Sequence, residues 1–331
     1  MPKPIVALTF GDAAGIGPEL VARLTAMPEA CQAARLLLVG DEWVWDDGQR
    51  ISGHETSVRR IDNFAQARQQ DGDDILFLPL DTVAQDAAPR GTASQAAGAG
   101  ARAALDACLD AAQRGEIDAI CFAPLNKQAM KLGGMAFEDE LHYFADRLGV
   151  TDYFCEFNTL GTLWTSRISS HVPLADVPQY ITQDRIKDAA RLTYRTLKRA
   201  GFAAPRVAVA ALNPHGGDGG TCGREEIDII APAARALNDE GLPIEGPYPA
   251  DTIFLKARDG KLDAIVTMYH DQGQVAVKLL GFERGVTVQG GLPVAITTPA
   301  HGTAFDIAGT GNANPQAMLQ ALLMAARLGA S

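Results

Sequence analysis

The tightest constraint on this chain is an alternation kept up almost from end to end: short apolar, β-branched runs give way to stretches of helical period. Strand-type runs fall at 5–9, 35–39, 75–78, 119–122, 153–157, 163–169, 206–212 and 264–268. Helix-type patterns fall at 18–25, 93–114, 138–148, 183–200, 224–240 and 315–328. A strand followed by a helix returns to its sheet by a crossover, so the alternation predicts α/β layers on a largely parallel sheet. A length of 331 residues suffices for about two domains and for a core that needs no disulfide. No repeat, long linker or low-complexity tail divides the chain. The domains are therefore expected to interweave, crossing near 125–135 and returning near 290–300. The Ala-rich stretch 93–114, with Gly98 and Gly100 inside it, reads as a helix packed closely against a sheet.

Charge narrows the partners. Lys plus Arg number 29 and Asp plus Glu 40, a formal charge of -11. No nucleic-acid or anionic-membrane binding is expected of so acidic a chain, although a local basic pocket for an anionic metabolite is compatible with it. Apolar runs stop short of the roughly 18 residues that a membrane span needs, so none is expected. The opening MPKPIVALTFGD reads as a first strand running into a Gly-rich turn, not as a secretion signal. Cys31, Cys108, Cys121, Cys155 and Cys222 are scattered without CxxC spacing and fit the reduced, packed thiols of a cytoplasmic protein.

Four of the six histidines stand out by context. His171 follows a strand pattern in SRISSHVPL, His215 another in VAALNPHGGDGG, and His270 a third in IVTMYHDQG, while His301 opens HGTAFDIAG. Ligands of open α/β sheets gather at the carboxyl ends of strands. Imidazoles just beyond three strand ends could meet there, and three neutral imidazoles with one open position make a catalytic site for zinc or a similar divalent ion. For a lone histidine, a surface or internally satisfied role is the commoner one. The turn from Gly11 to Glu19 joins a strand to a helix, with Pro18 suited to the first helical position and backbone N–H groups available to an anion. It is neither a dinucleotide GxGxxG nor a Walker loop. Lys127, in APLNK, and Lys278, in HDQGQVAVK, are cations near these segments that could orient an anionic substrate.

Taken together, TFGDAAGIGPEL, APLNKQAM, ISSHVPLADV, LNPHGGDGG, EEIDIIAPA, GPYPADT, MYHDQG, VKLLGFERGV and HGTAFDIAGTG resemble the 4-hydroxythreonine-4-phosphate dehydrogenase family, in family order from residue 8 to residue 311. That family is similar in turn to the isocitrate and isopropylmalate dehydrogenases. The resemblance implies a two-domain α/β/α sandwich of their type, not a Rossmann domain. It implies a division into 1–130 plus 298–331, carrying the nucleotide-binding loop, and 131–297, carrying metal-binding and dimerisation elements. By position it makes His171, His215 and His270 the metal ligands, at the interface of a homodimer. Asp251, in PADT, becomes a carboxylate beside substrate and metal, and Lys278 a substrate-binding lysine. His301, Gly302, Thr303, Asp306 and Asn314 fall in the adenosine-binding loop. The carboxylate of Asp306 would accept hydrogen bonds from ribose hydroxyls and repel a 2′-phosphate, so NAD is expected rather than NADP. The divalent ion is left open among zinc, cobalt, nickel, manganese and magnesium.

Departures cluster around the substrate. The family's His-Thr pair is Glu140-Leu141 here, its Asn is Thr287 and its Arg is Ile296. Losing that Arg removes a bidentate partner for phosphate. The resemblance implies NAD- and metal-dependent oxidation of a secondary alcohol of a hydroxy acid, with β-decarboxylation, as in pyridoxine biosynthesis. Lys127 and Asp251 are the candidates for proton transfer. The departures keep open a non-phosphorylated substrate such as a cis-dihydrodiol aromatic carboxylate, or a phosphorylated sugar acid. A catalytically dead ligand binder on the same fold is the non-enzyme alternative.

Overall fold

The computed structural model describes residues 3–70, 72–281 and 284–331. The chain forms two compact units: Met1–Thr151, Glu283–Val288 and Leu292–Ser331 make the first, and Asp152–Phe282 with Gln289–Gly291 the second.

The first unit begins β1 (Ile5–Thr9), α1 (Gly17–Thr25), α2 (Pro28–Ala33), β2 (Arg35–Asp41), α3 (Glu42–Ser52), β3 (Arg59–Arg60), α4 (Ala65–Gln69), β4 (Leu76–Leu80), α5 (Gln95–Gln113), β5 (Ala119–Phe122), α6 (Lys127–Leu132) and α7 (Glu140–Arg147). The second contains β6 (Cys155–Leu160), β7 (Leu163–Arg167), α8 (Val177–Tyr180), α9 (Gln183–Arg199), β8 (Val207–Ala210), α10 (Ala231–Asp239), β9 (Ile244–Tyr248), α11 (Ala250–Arg258), β10 (Ala264–Thr267) and α12 (His270–Gly281). The chain then returns through β11 (Val286–Gly290), β12 (Ala295–Pro299) and α13 (Gln316–Gly329).

In the first unit the strands run in the order β3-β4-β2-β1-β5-β12-β11, parallel except for β11 against β12. In the second the order is β6-β7-β10-β8-β9, parallel except for β6 against β7. Every residue of β1, β5, β8 and β10 is buried. Strands covered by helices on both faces must be apolar on both, which is why these segments read as continuous hydrophobic runs rather than alternating ones.

Three differences from the sequence reading have physical causes. The dividing line falls at 151/152, not 130/131, because α7 packs within the first unit. Phe144 meets Phe122 edge-on at 5.7 Å, Tyr143 bonds to Asp106, and Arg147 pairs with Asp110 at 2.7 Å. The stretch read as a helix over 224–240 is two pieces: a π-helical turn at Glu226–Ile230, then α10. Pro232 lacks the N–H that an unbroken α-helix needs there, and the Ala231 N–H reaches back to the Glu226 carbonyl instead. Strands β9, β11 and β12 escaped the sequence reading. They are short, and Gly246-Pro247 interrupts β9 while Pro299 ends β12.

Gly98 of α5 serves a helix crossing rather than a sheet contact, while Gly100 lies against Val83 and Thr82. A Cβ at Gly98 would lie 1.8 Å from the Ala129 carbonyl oxygen of α6, and one on Gly133 would lie 2.4 Å from the Ala99 nitrogen. The two helices touch backbone to backbone. Among the described residues no helix is long and apolar enough to cross a membrane. All five cysteines are free.

Gly98→Ala should therefore lower stability by about 1–3 kcal/mol through overpacking, measured as a fall in the urea midpoint. An unchanged midpoint would mean that α6 yields freely.

Candidate active site

In the second unit, β7, β10 and β8 are neighbours and parallel, with Thr267 opposite Arg167 and Val266 opposite Val209. Their carboxyl ends therefore share one edge, where ligands of open α/β sheets collect. His171 lies just past the end of β7, His270 opens α12 directly after β10, and His215 lies in the turn after β8. The rings of His171 and His270 are 5.7 Å apart, centroid to centroid. They line a cavity of about 250 Å³ with Ser169, Tyr269, Leu174 and Val177. His270 Nδ1 is 2.7 Å from Asp271 Oδ1, a contact that orients its ring. Among the described residues, the nitrogens of all three rings do not come within 4.8 Å of one another.

Asp251 is exposed in the first turn of α11. The turn carrying His215 lies against the same element's entry, since a Cβ on Gly216 would be 3.8 Å from Pro249 Cγ. Lys278 is exposed on α12, about 12 Å along the helix from His270 at the usual rise per residue.

In the first unit, β1, β5 and β12 are likewise parallel neighbours. The loops after them are tied together by backbone bonds, Asp12 N to the Pro124 carbonyl at 3.0 Å and Ile16 N to the Thr303 carbonyl at 3.1 Å, and Gly91 N, in the segment after β4, joins them through the Ala14 carbonyl at 2.8 Å. Gly11 adopts φ 66°, and a Cβ there would lie 2.4 Å from the Ala123 carbonyl oxygen, so only glycine allows this approach. Lys127 is exposed at the start of α6, whose cap is Asn126. Residues 301–314 form the predicted nucleotide loop. Asp306, Gly302 and Asn314 are exposed and His301 is half-buried, its Nδ1 3.1 Å from the Gly302 carbonyl oxygen. Asn314 also accepts the Gln316 N–H at the start of α13.

Four non-glycine residues among those described have positive φ: His171, His215, Asp218 and Ala304. Each such residue costs roughly 1–3 kcal/mol and persists only where its surroundings enforce it. Two are candidate metal ligands, one lies in the turn carrying His215, and one lies in the nucleotide loop.

Not every expected site residue reaches solvent. Thr303 is buried: its side chain packs on Gly15 and its carbonyl is taken by Ile16, so it braces the loop. Leu141, Thr287 and Ile296 are buried too, and Ile296 is 0 % exposed in an interior strand between β5 and β11. Glu140 is half-buried at the start of α7. Burial on a strand is set by its neighbours on both sides, which a local pattern does not reveal.

The sequence reading also missed a clasp on the nucleotide loop. Glu19, 1 % exposed, accepts the Ala313 N–H at 2.9 Å and the Arg23 Nε–H at 3.1 Å, while Arg23 donates to the Gly311 carbonyl. A carboxylate in the first turn of a largely apolar helix, four residues before Arg23, was the available signal.

Two α/β units of largely parallel strands, one with imidazoles at its strand ends and the other with tied glycine-rich loops, define the class of α/β protein to which the chain belongs. The chain belongs to the family described as pyridoxal phosphate biosynthetic protein PdxA, whose sequence profile matches residues 32–325. It is an oxidoreductase acting on a CH–OH group. A putative 4-hydroxythreonine-4-phosphate dehydrogenase 2 of Pseudomonas aeruginosa is 51% identical over 328 residues, covering 98% of this chain and 97% of that one. A crystal structure of 4-hydroxythreonine-4-phosphate dehydrogenase from Klebsiella pneumoniae matches with a TM-score of 0.86 at 33% identity, over 99% of this chain and 98% of that chain. A terephthalate 1,2-cis-dihydrodiol dehydrogenase from Burkholderia xenovorans LB400 matches with a TM-score of 0.69 at 30% identity, over 97% and 98% of the two chains.

Asp12 supplies a test of the loop assembly. It is 1 % exposed, Oδ1 accepts the Ala14 N–H at 2.9 Å, and Oδ2 has no partner among the described residues. Burial holds its carboxyl above the ordinary value of 3.8, opposed by the Ala14 N–H. As pH rises from that value the unfolded chain ionises first, so this group's contribution to stability is lost with increasing pH. Urea midpoints of Asp12→Asn relative to the parent should rise between pH 3.5 and 7, on the order of the carboxylate range. A pH-independent difference would contradict the burial effect.

Proposed function

We propose that this chain is an NAD- and divalent-metal-dependent dehydrogenase that oxidises the secondary alcohol of a hydroxy acid, with loss of a β-carboxylate as carbon dioxide. The observation that carries the reading is the placement of His171, His215 and His270 at one carboxyl edge, two of them in strained left-handed conformations. Neutral imidazoles suit zinc, cobalt, nickel or manganese, and the exposed Asp251 offers the oxygen donor that manganese and magnesium prefer. When bound, such an ion supplies Lewis-acid polarisation of an alcohol oxygen. NAD, when bound, supplies the hydride acceptor.

The chain's own residues do the rest. Asp306 is exposed in its loop, where a carboxylate accepts ribose hydroxyls and repels a 2′-phosphate. Lys278 attracts an anionic group of the substrate. Lys127 and Asp251, both exposed, are the candidates for taking the alcohol proton and returning one after decarboxylation. The family resemblance implies a homodimer in which two copies complete the metal site.

The named activity of the relatives supports 4-hydroxythreonine 4-phosphate, or a similar phosphorylated hydroxy acid, as substrate. A second reading, a cis-dihydrodiol aromatic carboxylate, is favoured by the likeness to the terephthalate 1,2-cis-dihydrodiol dehydrogenase and by Ile296 at the position where the resemblance expects a phosphate-binding Arg. Turnover of one substrate and not the other decides between them.

His171→Ala, His215→Ala and His270→Ala should each lower kcat by about 100-fold or more, with loss of bound metal. Stripping the metal with a chelator should abolish turnover, and adding it back should restore it. Retained turnover in any of the three variants would sink the metal site. NAD should outperform NADP in kcat/KM, and Asp306→Ala should narrow the gap. Equal or better turnover with NADP would overturn the assignment of Asp306.

A further inference from the structure

We propose that Glu226 is a positioning residue for the metal site, holding the turn that presents His215. The inference rests on the reading of His215 as a metal ligand and extends it to a residue outside the ligand set.

The turn is costly to form. His215, Gly216, Gly217, Asp218 and Gly219 all have left-handed backbone conformations, with φ of 55°, 67°, 81°, 45° and 63°. Glycine adopts this region freely, but His215 and Asp218 do not. Within the turn, Gly216 N bonds to the Asn213 carbonyl at 3.2 Å, Thr221 N to the Asp218 carbonyl at 3.2 Å and Cys222 N to the Gly217 carbonyl at 3.0 Å. These bonds are compatible with the reversal but do not anchor it to the body of the unit.

Glu226 does. It is 3 % exposed, and its Oε1 accepts the backbone N–H of Leu212 at 2.8 Å and of Asn213 at 2.7 Å. Its Oε2 accepts the Asn213 side-chain amide at 3.0 Å. Among the described residues these three N–H groups are its hydrogen-bond partners. A buried carboxylate without a cation is stabilised only by such bonds, so the charge and the loop backbone hold each other. A Cβ on Gly217 would lie 2.7 Å from Oε2, so the turn rests directly on the carboxylate. Glu226 opens the π-helical turn, and π-turns are frequent at functional sites. Asn213 is fixed from a second side, donating to Glu225 at 2.6 Å.

Glutamine is therefore not a neutral replacement. In Glu226→Gln one oxygen still accepts the two backbone N–H groups, but the new amide N–H₂ faces the Asn213 amide, donor against donor. Asn213 cannot resolve the conflict by flipping, because its oxygen would then face Glu225.

The experiment uses the full chain, stripped of metal and titrated with Zn²⁺ by calorimetry, alongside hydrogen exchange of the Leu212 and Asn213 amides. Glu226→Gln should weaken Zn²⁺ binding about 10–100-fold and speed exchange at both amides, with turnover returning at saturating metal. A general loss of folded protein would not give that recovery. His215→Ala should weaken binding too, without recovery of turnover in excess metal. Should Glu226→Gln fail to fold, Asn213→Ala removes one of the same bonds from the other side and should shift affinity in the same direction. Parental Zn²⁺ affinity and exchange rates in the folded variant would overturn the role of Glu226. Parental affinity in His215→Ala would instead remove the metal reading beneath it.

Discussion

Parallel strand pairing leaves a chain little choice about where its loops emerge: every strand in the run ends on the same edge, and each crossover must start there. Both units depend on this constraint. In one, β7, β10 and β8 deliver three histidines to a single edge. In the other, β1, β5 and β12 deliver the first glycine-rich turn, the segment before Lys127 and the 301–314 loop. Segments far apart in sequence become neighbours because the hydrogen-bond ladders permit nothing else.

The ladders bring the loops together but do not shape them. Shape comes from local forcing: left-handed residues, close glycines and buried carboxylates that accept backbone N–H groups. Glu19 and Glu226 act alike in this respect, each nearly excluded from solvent and each bonded to the backbone of a loop that carries site residues. A buried carboxylate enforces one loop geometry because a misplaced loop would leave a charge without partners. That makes these residues restraints on the site without being part of its chemistry.

The strand-end position of His171, His215 and His270 was legible because strand patterns are local and a residue just beyond one is necessarily near an edge. Their partnership was harder to read. His171 and His270 approach, whereas His215 stands in a turn bonded to Glu226, a residue of the segment 224–240 read as plain helix. Leu141, Thr287 and Ile296 stand at positions that the family resemblance expects beside substrate, and all three side chains are buried. Accessibility depends on which strands and helices flank a position, which a local pattern does not show.

By itself, the sequence determined the class of fold, which segments follow the strand ends and the family to which the chain belongs. Each follows from patterns spanning a few to a few dozen residues: apolar runs, helical period, and glycine and histidine placed just after a strand. Only the tertiary structure decided which loops meet, which helix crosses which at Gly98, where the unit boundary falls and which carboxylates hold the loops. Those outcomes depend on pairings between segments that are not adjacent in sequence, as when Thr267 comes to lie opposite Arg167, 100 residues away. No local pattern encodes such a pairing, because the free energy that selects it comes from burial and hydrogen bonding in the assembled unit.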